Sequence, residues 1–259
     1  MSWHAAVDYR KAKAGSSSPL PALDYGEVHK VGDDVIIAAL SDDIGSIIHP
    51  HNAAKVAVKK AITTLLEDSQ YLEKLVDCPE VGVATSLFQE LCEGVRSALM
   101  KQIINDSNTS LVFSPTLIVI IASPAGTIAM RVGDGSIVYR QSGRSYETMF
   151  QQDPEDSDPT SIAAPNALEK MEIAFQPGIA EFICASTGGL IPLSIRKTEH
   201  RPRAPFFRPL DQCAAMAETD DDIHRGLRTF LRSAPFIDHL KKDCTLMLGG
   251  YRSNGYCAA

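Results

Sequence analysis

Aromatic residues are scarce in this chain. Its 259 residues hold one tryptophan and only 7% Phe, Trp and Tyr together. Six cysteines are scattered at positions 78, 92, 184, 213, 244 and 257, and none forms a CxxC pair. That spacing fits neither a zinc site nor a secreted disulfide framework, so reduced thiols in a cytoplasmic protein are expected. Positive charge is short as well: 25 Lys and Arg stand against 32 Asp and Glu, a formal net charge of −7. A chain of that sign lacks the broad basic footprint of a nucleic-acid binder, and no nucleic-acid partner is expected. Apolar runs are brief. The run from Leu117 to Ala122 falls far short of the ~20 residues that a membrane-spanning helix needs. The N-terminal "MSWHAAVDYRKAKAG" has no apolar signal-peptide region, so no membrane partner is expected either.

What is present is ordinary for a soluble globular protein: 44% hydrophobic and 22% charged residues. "KAKAGSSSPLP" (11–21) reads as a loop. "VGDDVIIAALS" opens on a turn at Gly32, Asp33 and Asp34 and continues as a buried strand. Asn52 to about Glu67 reads as a helix rich in Ala, Lys and Leu, without a clean apolar stripe. A second helix is predicted over Val83–Ile104, where Leu87, Leu91, Val95 and Leu99 recur every four residues. From residue 110 the texture changes. Three short apolar runs are broken by Pro124-Ala125-Gly126, Gly133-Asp134-Gly135 and Ser142-Gly143, the pattern of an antiparallel meander. "QQDPEDSDPTS" (151–161) reads as an acidic loop. "MEIAFQPGIAEFICAS" reads as two strands joined by a Pro-Gly turn. "DDDIHRGLRTFLRS" is predicted helical, its three leading aspartates suiting the positive end of the helix dipole. "CTLMLGGY" reads as a last strand. Strands and helices fall in blocks rather than alternating, so the fold class is α+β with antiparallel sheets. No linker or internal repeat divides the chain, and one domain over 1–259 is expected. Within it, the Arg- and Pro-rich segment 195–211 has no clear period. It reads as a flap, with Phe206 and Phe207 among arginines as a surface suited to a partner.

The stretch that asks for an explanation is "AALSDDIGSIIHPHNAAKVAVKKA". A buried strand ends on the adjacent carboxylates Asp42 and Asp43, and a helix follows. Alone, such a pair fits a solvated turn or a helix cap. His49 and His51 flank Pro50 and read as exposed loop residues. Asp134, between two glycines, is accounted for by turn chemistry. Ser186 and Thr187 before two glycines read as a tight turn or as an anion-holding strand-to-helix turn.

Taken together, "LSDDIGS", "SPTLIVIIASPAGTIAMRVGDGSIVYRQSG", "EFICASTGGL" and "KKDCTLML", with the earlier "PALD", resemble the bacterial form of the metal-dependent Ser/Thr protein phosphatases of type 2C. They occur in that family's order along nearly the whole chain. The resemblance implies two packed antiparallel β-sheets flanked by helices on both sides, with a metal site at one end of the sandwich. It implies a reaction in which carboxylates hold Mg²⁺ or Mn²⁺, hard cations that prefer oxygen, and a metal-bound water attacks the phosphate ester. The family's bridging aspartate falls on Asp42, its second acid on Asp24, and the aspartate of its Gly-Asp turn on Asp134. Asp43 stands where the family has a glycine whose carbonyl is a ligand.

Two further ligand positions depart from the pattern. The aspartate of the family's Ser-Asp-Gly falls on Thr187, and that of its Asp-x-x-Thr falls on Lys242. An ammonium ~4 Å from a divalent ion repels it by several kcal/mol at an effective dielectric of about 20. Lys242 is therefore expected to neutralise Asp42 or Asp24, and no metal is expected to bind tightly. The implied function is that of a pseudophosphatase, a regulatory or binding module in Ser/Thr phosphorylation signalling with a phosphoprotein or a protein kinase as partner. The alternative is an active Mn²⁺- or Mg²⁺-dependent phosphoprotein phosphatase, with Asp243 or Asp43 standing in for a lost ligand. Arg10 is a weakly matched candidate for the family's phosphate-binding arginine.

Overall fold

In the computed structural model, the described residues are 1–12, 24–42, 50–77, 81–105, 114–151, 160–196 and 198–252. The strands are β1 (Ser2–Arg10), β2 (Tyr25–Val31), β3 (Val35–Ser41), β4 (Leu117–Ala122), β5 (Gly126–Val132), β6 (Ser136–Gln141), β7 (Glu147–Thr148), β8 (Glu172–Pro177), β9 (Ala180–Ser186), β10 (Ile195–Arg196), β11 (Arg201–Pro202) and β12 (Cys244–Arg252). The helices are α1 (Pro50–Glu67), α2 (Ser69–Asp77), α3 (Val81–Asn105), α4 (Ile191–Ser194), α5 (Ala204–Met216), α6 (Asp220–Leu231) and α7 (Ala234–His239).

Two antiparallel sheets form, one in the order β1-β12-β9-β6-β7 and the other β2-β3-β4-β5-β8. The apolar runs are continuous because their strands are buried on both faces, so alternate residues serve different layers. Ile36, Ala38 and Leu40 of β3 meet Ile118 and Ile120 of β4, Ile183 of β9, Met247 of β12 and Trp3 between the sheets. Ile37 and Ala39, on the opposite face of β3, pack under α1 and α3. Across the sandwich, Phe182 and Cys184 of β9 and Leu246 and Leu248 of β12 pack under α5, α6 and α7. Each fully buried Ile or Leu contributes roughly 1.5–3 kcal/mol. The result is a helix–sheet–sheet–helix sandwich, as the resemblance implies.

Several local expectations change. In α1, Ala53, Ala57, Ala61 and Leu65 are buried beside Ala54, Val58 and Ile62. The stripe is clean, but alanine carries most of it and so weakens its signal in a sequence. β1 and α2 were not foreseen. β4 and β5 form the hairpin expected at Pro124–Gly126. The Gly133–Gly135 turn instead carries the chain from β5 in one sheet to β6 in the other. Gly133 and Gly135 have φ of +93° and +119°, and a Cβ on Gly135 would lie 2.8 Å from the Ser186 carbonyl. That corner therefore needs glycine twice. The Pro177-Gly178 turn likewise leads from β8 into the other sheet rather than closing a hairpin. Within residues 195–211, Ile195–Arg196 pairs with Arg201–Pro202 as β10–β11, and α5 begins at Ala204, with Phe207 buried in the outer core and Phe206 packed against it. α6 begins where expected. Thr219 caps it, accepting from Asp222 N–H, while the Asp222 carboxylate takes the Thr219 N–H.

Candidate functional site

The site lies at one end of the sandwich, where the two sheets meet. β2 and β3 pair from Val31↔Val35 to Tyr25↔Ser41. One further step of that register sets Asp24 opposite Asp42, so the hairpin itself brings the two carboxyls together. β4 fixes Asp42 from its other side. Thr116 N–H donates to the Asp42 carbonyl (2.8 Å), and Asp42 N–H donates to Thr116 Oγ1 (3.1 Å). Ser41 Oγ donates to the Thr116 carbonyl at 2.6 Å.

The second sheet contributes Thr187, just past the end of β9. It is 1% exposed. Its hydroxyl donates to Asp24 Oδ2 at 2.5 Å and accepts from Thr245 N–H at 3.0 Å. Thr187 N–H in turn donates to the Thr245 carbonyl at 3.2 Å. Both roles of the hydroxyl are thus taken up in tying β9, β12 and the β2 hairpin together.

Asp24 is 5% exposed, and among the described residues no N–H or O–H reaches its Oδ1. Burial, then the charge of Asp42, hold its carboxyl well above the ordinary carboxylate range, against the opposing bond from Thr187. Two carboxylates have no donor between them, so the pair is best satisfied when one keeps a proton.

Asp134 sits in the crossover between the sheets. Its carboxylate lies directly on Gly188: a Cβ there would stand 1.9 Å from Asp134 Oδ2. A Cβ on Gly189 would stand 2.1 Å from the Asp243 carbonyl. The Thr187-Gly188-Gly189 turn therefore threads a slot that only glycines fit. Burial raises the Asp134 carboxyl, opposed by the charges of Lys242 and Arg131. Arg131 holds this corner. Nearly buried, it donates to the Gly135 and Gln151 carbonyls (2.9 Å each) and to Glu172, with its guanidinium 4.9 Å from the centre of the Phe150 ring.

A family model described as protein phosphatase 2C matches residues 16–232. The chain belongs to the protein phosphatase 2C family. It is 24% identical over 255 residues to serine/threonine-protein phosphatase 3 of Escherichia coli K12, covering 96% of this chain and 98% of that one. Among solved structures it resembles the serine/threonine phosphatase Stp1 of Staphylococcus aureus, with TM-score 0.64 and 11% identity over 96% and 95% of the two chains. It also resembles the catalytic domain of PstP in complex with two manganese ions, with TM-score 0.58 and 14% identity over 96% and 98%.

The residues expected at the phosphatase centre separate into two groups. Asp24, Asp42 and Thr187 come together. Asp134, Gly188 and the Lys242–Asp243 backbone form the adjoining wall. Asp243 bears on Asp24 electrostatically, while its Oδ1 accepts Ala12 N–H at 2.9 Å. Lys242 is exposed and its charge acts on Asp134, while the charges that act on Asp24 are the carboxylates of Asp42 and Asp243. An ammonium stays hydrated at the surface rather than entering a buried pair. Asp43, His49 and the side chain of His51 lie outside the described residues.

A hard divalent cation needs about six oxygen ligands, several of them carboxylate. Among the described residues, no three Asp, Glu, His or Cys side chains are placed to hold one ion. Thr187 supplies a neutral hydroxyl that is already committed on both sides. The described residues thus do not fit a two-ion phosphatase centre. Sequence reading missed Ser41, Thr116 and Thr245 as supports of the site. Their signal is a hydroxyl residue at the end of each strand that reaches it.

Proposed function

We propose that this protein is a pseudophosphatase: a phosphatase-2C domain that holds no divalent ion tightly and serves as a binding or regulatory module in Ser/Thr phosphorylation signalling. The observation that carries this reading is Thr187, whose hydroxyl donates to Asp24 and accepts from Thr245 N–H. At the position where the resemblance places a carboxylate ligand, a hydroxyl hydrogen-bonded on both sides supports this reading. The Ser/Thr phosphatase names of the relatives point to a phosphoprotein, or the protein kinase that makes it, as partner. Among the described residues no helix is long and apolar enough to cross a membrane, in keeping with a cytoplasmic setting.

The test is turnover of p-nitrophenyl phosphate and of a phosphothreonine peptide, with Mn²⁺ at millimolar concentration. Rates at background are expected with and without the ion. Mn²⁺-dependent turnover that Asp42→Asn abolishes would overturn the proposal and establish an active phosphatase.

A further inference from the structure

Three sulfur atoms converge in the layer between α3 and the sheet that carries β5 and β8. Cys92, midway along α3, has its Sγ 3.6 Å from Met130 Sδ of β5 and 3.7 Å from Met171 Sδ, one residue before β8. β5 and β8 are neighbours in the sheet, with Met130 opposite Ile173. The pairing of these two strands therefore sets both thioethers under one point of α3. Cys92 and Met130 are 0% exposed, and Met171 packs half-buried against the same core.

Methionine fills irregular gaps in many cores, and one thiol–thioether contact would be packing. Here one thiol touches two thioethers, and it has a single proton to donate. The spacing also suits an ion. With metal–sulfur bonds of about 2.3 Å, three sulfurs in a trigonal plane stand about 4 Å apart, so the two distances need open by only about 0.3–0.4 Å. Methionine side chains, with three rotatable bonds, give that much readily. Charge narrows the choice of ion. One thiolate and one monovalent cation sum to zero, whereas a divalent ion would leave net charge in an apolar layer. Burial pushes the Cys92 thiol up to about 12, against the charge of Arg96 one turn along α3. Arg96 thus favours the thiolate, and its buried Nε has no acceptor among the described residues.

We propose that Cys92, Met130 and Met171 form a binding site for a soft monovalent cation, Cu⁺. Thiolate and thioether are the ligand types that select Cu⁺ over hard ions. On binding, the Cys92 S–H bond breaks, its electron pair forms the S–Cu bond, and the proton passes to solvent, while copper remains Cu⁺ throughout. Met171 alone of the three residues reaches the surface, so the ion enters on its side. Once filled, the site clips α3 to β5 and to the edge strand β8. The carboxylate cluster and its metal chemistry play no part in it.

The test uses the full chain, reduced and free of oxygen, with isotope-labelled methionine methyl groups, and titrates Cu⁺ against the competing chelator bicinchoninate. The NMR signals of the Met130 and Met171 methyl groups are expected to shift together as the site fills, and to stay in place in Cys92→Ser. Met171→Leu nearly conserves volume and so keeps the fold. It should weaken Cu⁺ binding at least tenfold, about 1.4 kcal/mol at 25 °C. No Cu⁺ uptake by the wild type, or uptake that leaves either methyl signal in place, overturns the proposal. So does an affinity that Met171→Leu leaves unchanged, or a shift of both signals that persists in Cys92→Ser.

Discussion

Replacing Asp24 by asparagine removes a buried charge and leaves the shape of the side chain intact. The amide oxygen still accepts from Thr187, and the amide N–H₂ can donate toward Asp42 at any pH, where the carboxyl needs a retained proton to do so. A buried polar atom without a partner costs about 1–3 kcal/mol. In a domain of this size each kcal/mol moves the melting temperature by about 2–4 °C, so Asp24→Asn should raise it by about 2–12 °C at pH 7.5. The pH dependence follows from linkage. The folded carboxyl titrates well above the ordinary range, so the folded state binds more protons than the unfolded one. The wild-type carboxyl's contribution is therefore full below the unfolded value near 4 and is lost as pH rises through the folded value. The variant's advantage should be small near pH 4.5 and largest at neutral pH. Thermal unfolding in EDTA at the two pH values measures it. A variant less stable than wild type at pH 7.5, or an equal gain at both pH values, would refute the argument.

Further consequences concern the turn beside Asp24. Thr187→Val deletes the donor to Asp24 and the acceptor of Thr245 N–H, and chemical denaturation should show a loss of about 1–3 kcal/mol. Gly188→Ala forces a methyl into the Asp134 carboxylate, at an expected cost of about 1–3 kcal/mol. Asp134→Ala should relieve most of that cost, and a double-mutant cycle with no coupling would show that the two residues do not touch. Asp134→Asn alone should stabilise modestly and more at neutral than at acid pH, since burial raises this carboxyl too. A pH-independent effect would count against that.

The layering of the fold came from the family resemblance, and β3, β4 and β12, apolar on both faces, agree with a sheet that is covered twice. The helix stripe Leu91, Val95 and Leu99 was legible from its spacing of four. The crossovers at Gly133–Gly135 and Pro177-Gly178 were not. A glycine turn states that the chain bends, and packing at Ser186 and Ile118 decides which sheet receives it. β1 was hidden because its burial does not alternate cleanly and, beside Trp3, its buried positions are only the small residues Ala5 and Ala6. At the site, the juxtaposition of Asp24, Asp42 and Thr187 came from motif order, and the β2–β3 register accounts for the carboxyl pair. The direction of the Lys242 side chain was not legible, because a sequence gives a position on the chain and not where a long side chain points. Its stem leads to solvent beside Asp134.

The central claim is that a committed hydroxyl at position 187, with a lysine at 242, leaves the cluster without the ligands that a divalent ion requires. Isothermal titration with Mn²⁺, comparing wild type with Thr187→Asp/Lys242→Asp, addresses it most directly. No saturable heat in the wild type and a clear binding isotherm in the folded double variant are predicted. Tight Mn²⁺ binding by the wild type, or a folded double variant that still ignores the ion, would contradict it.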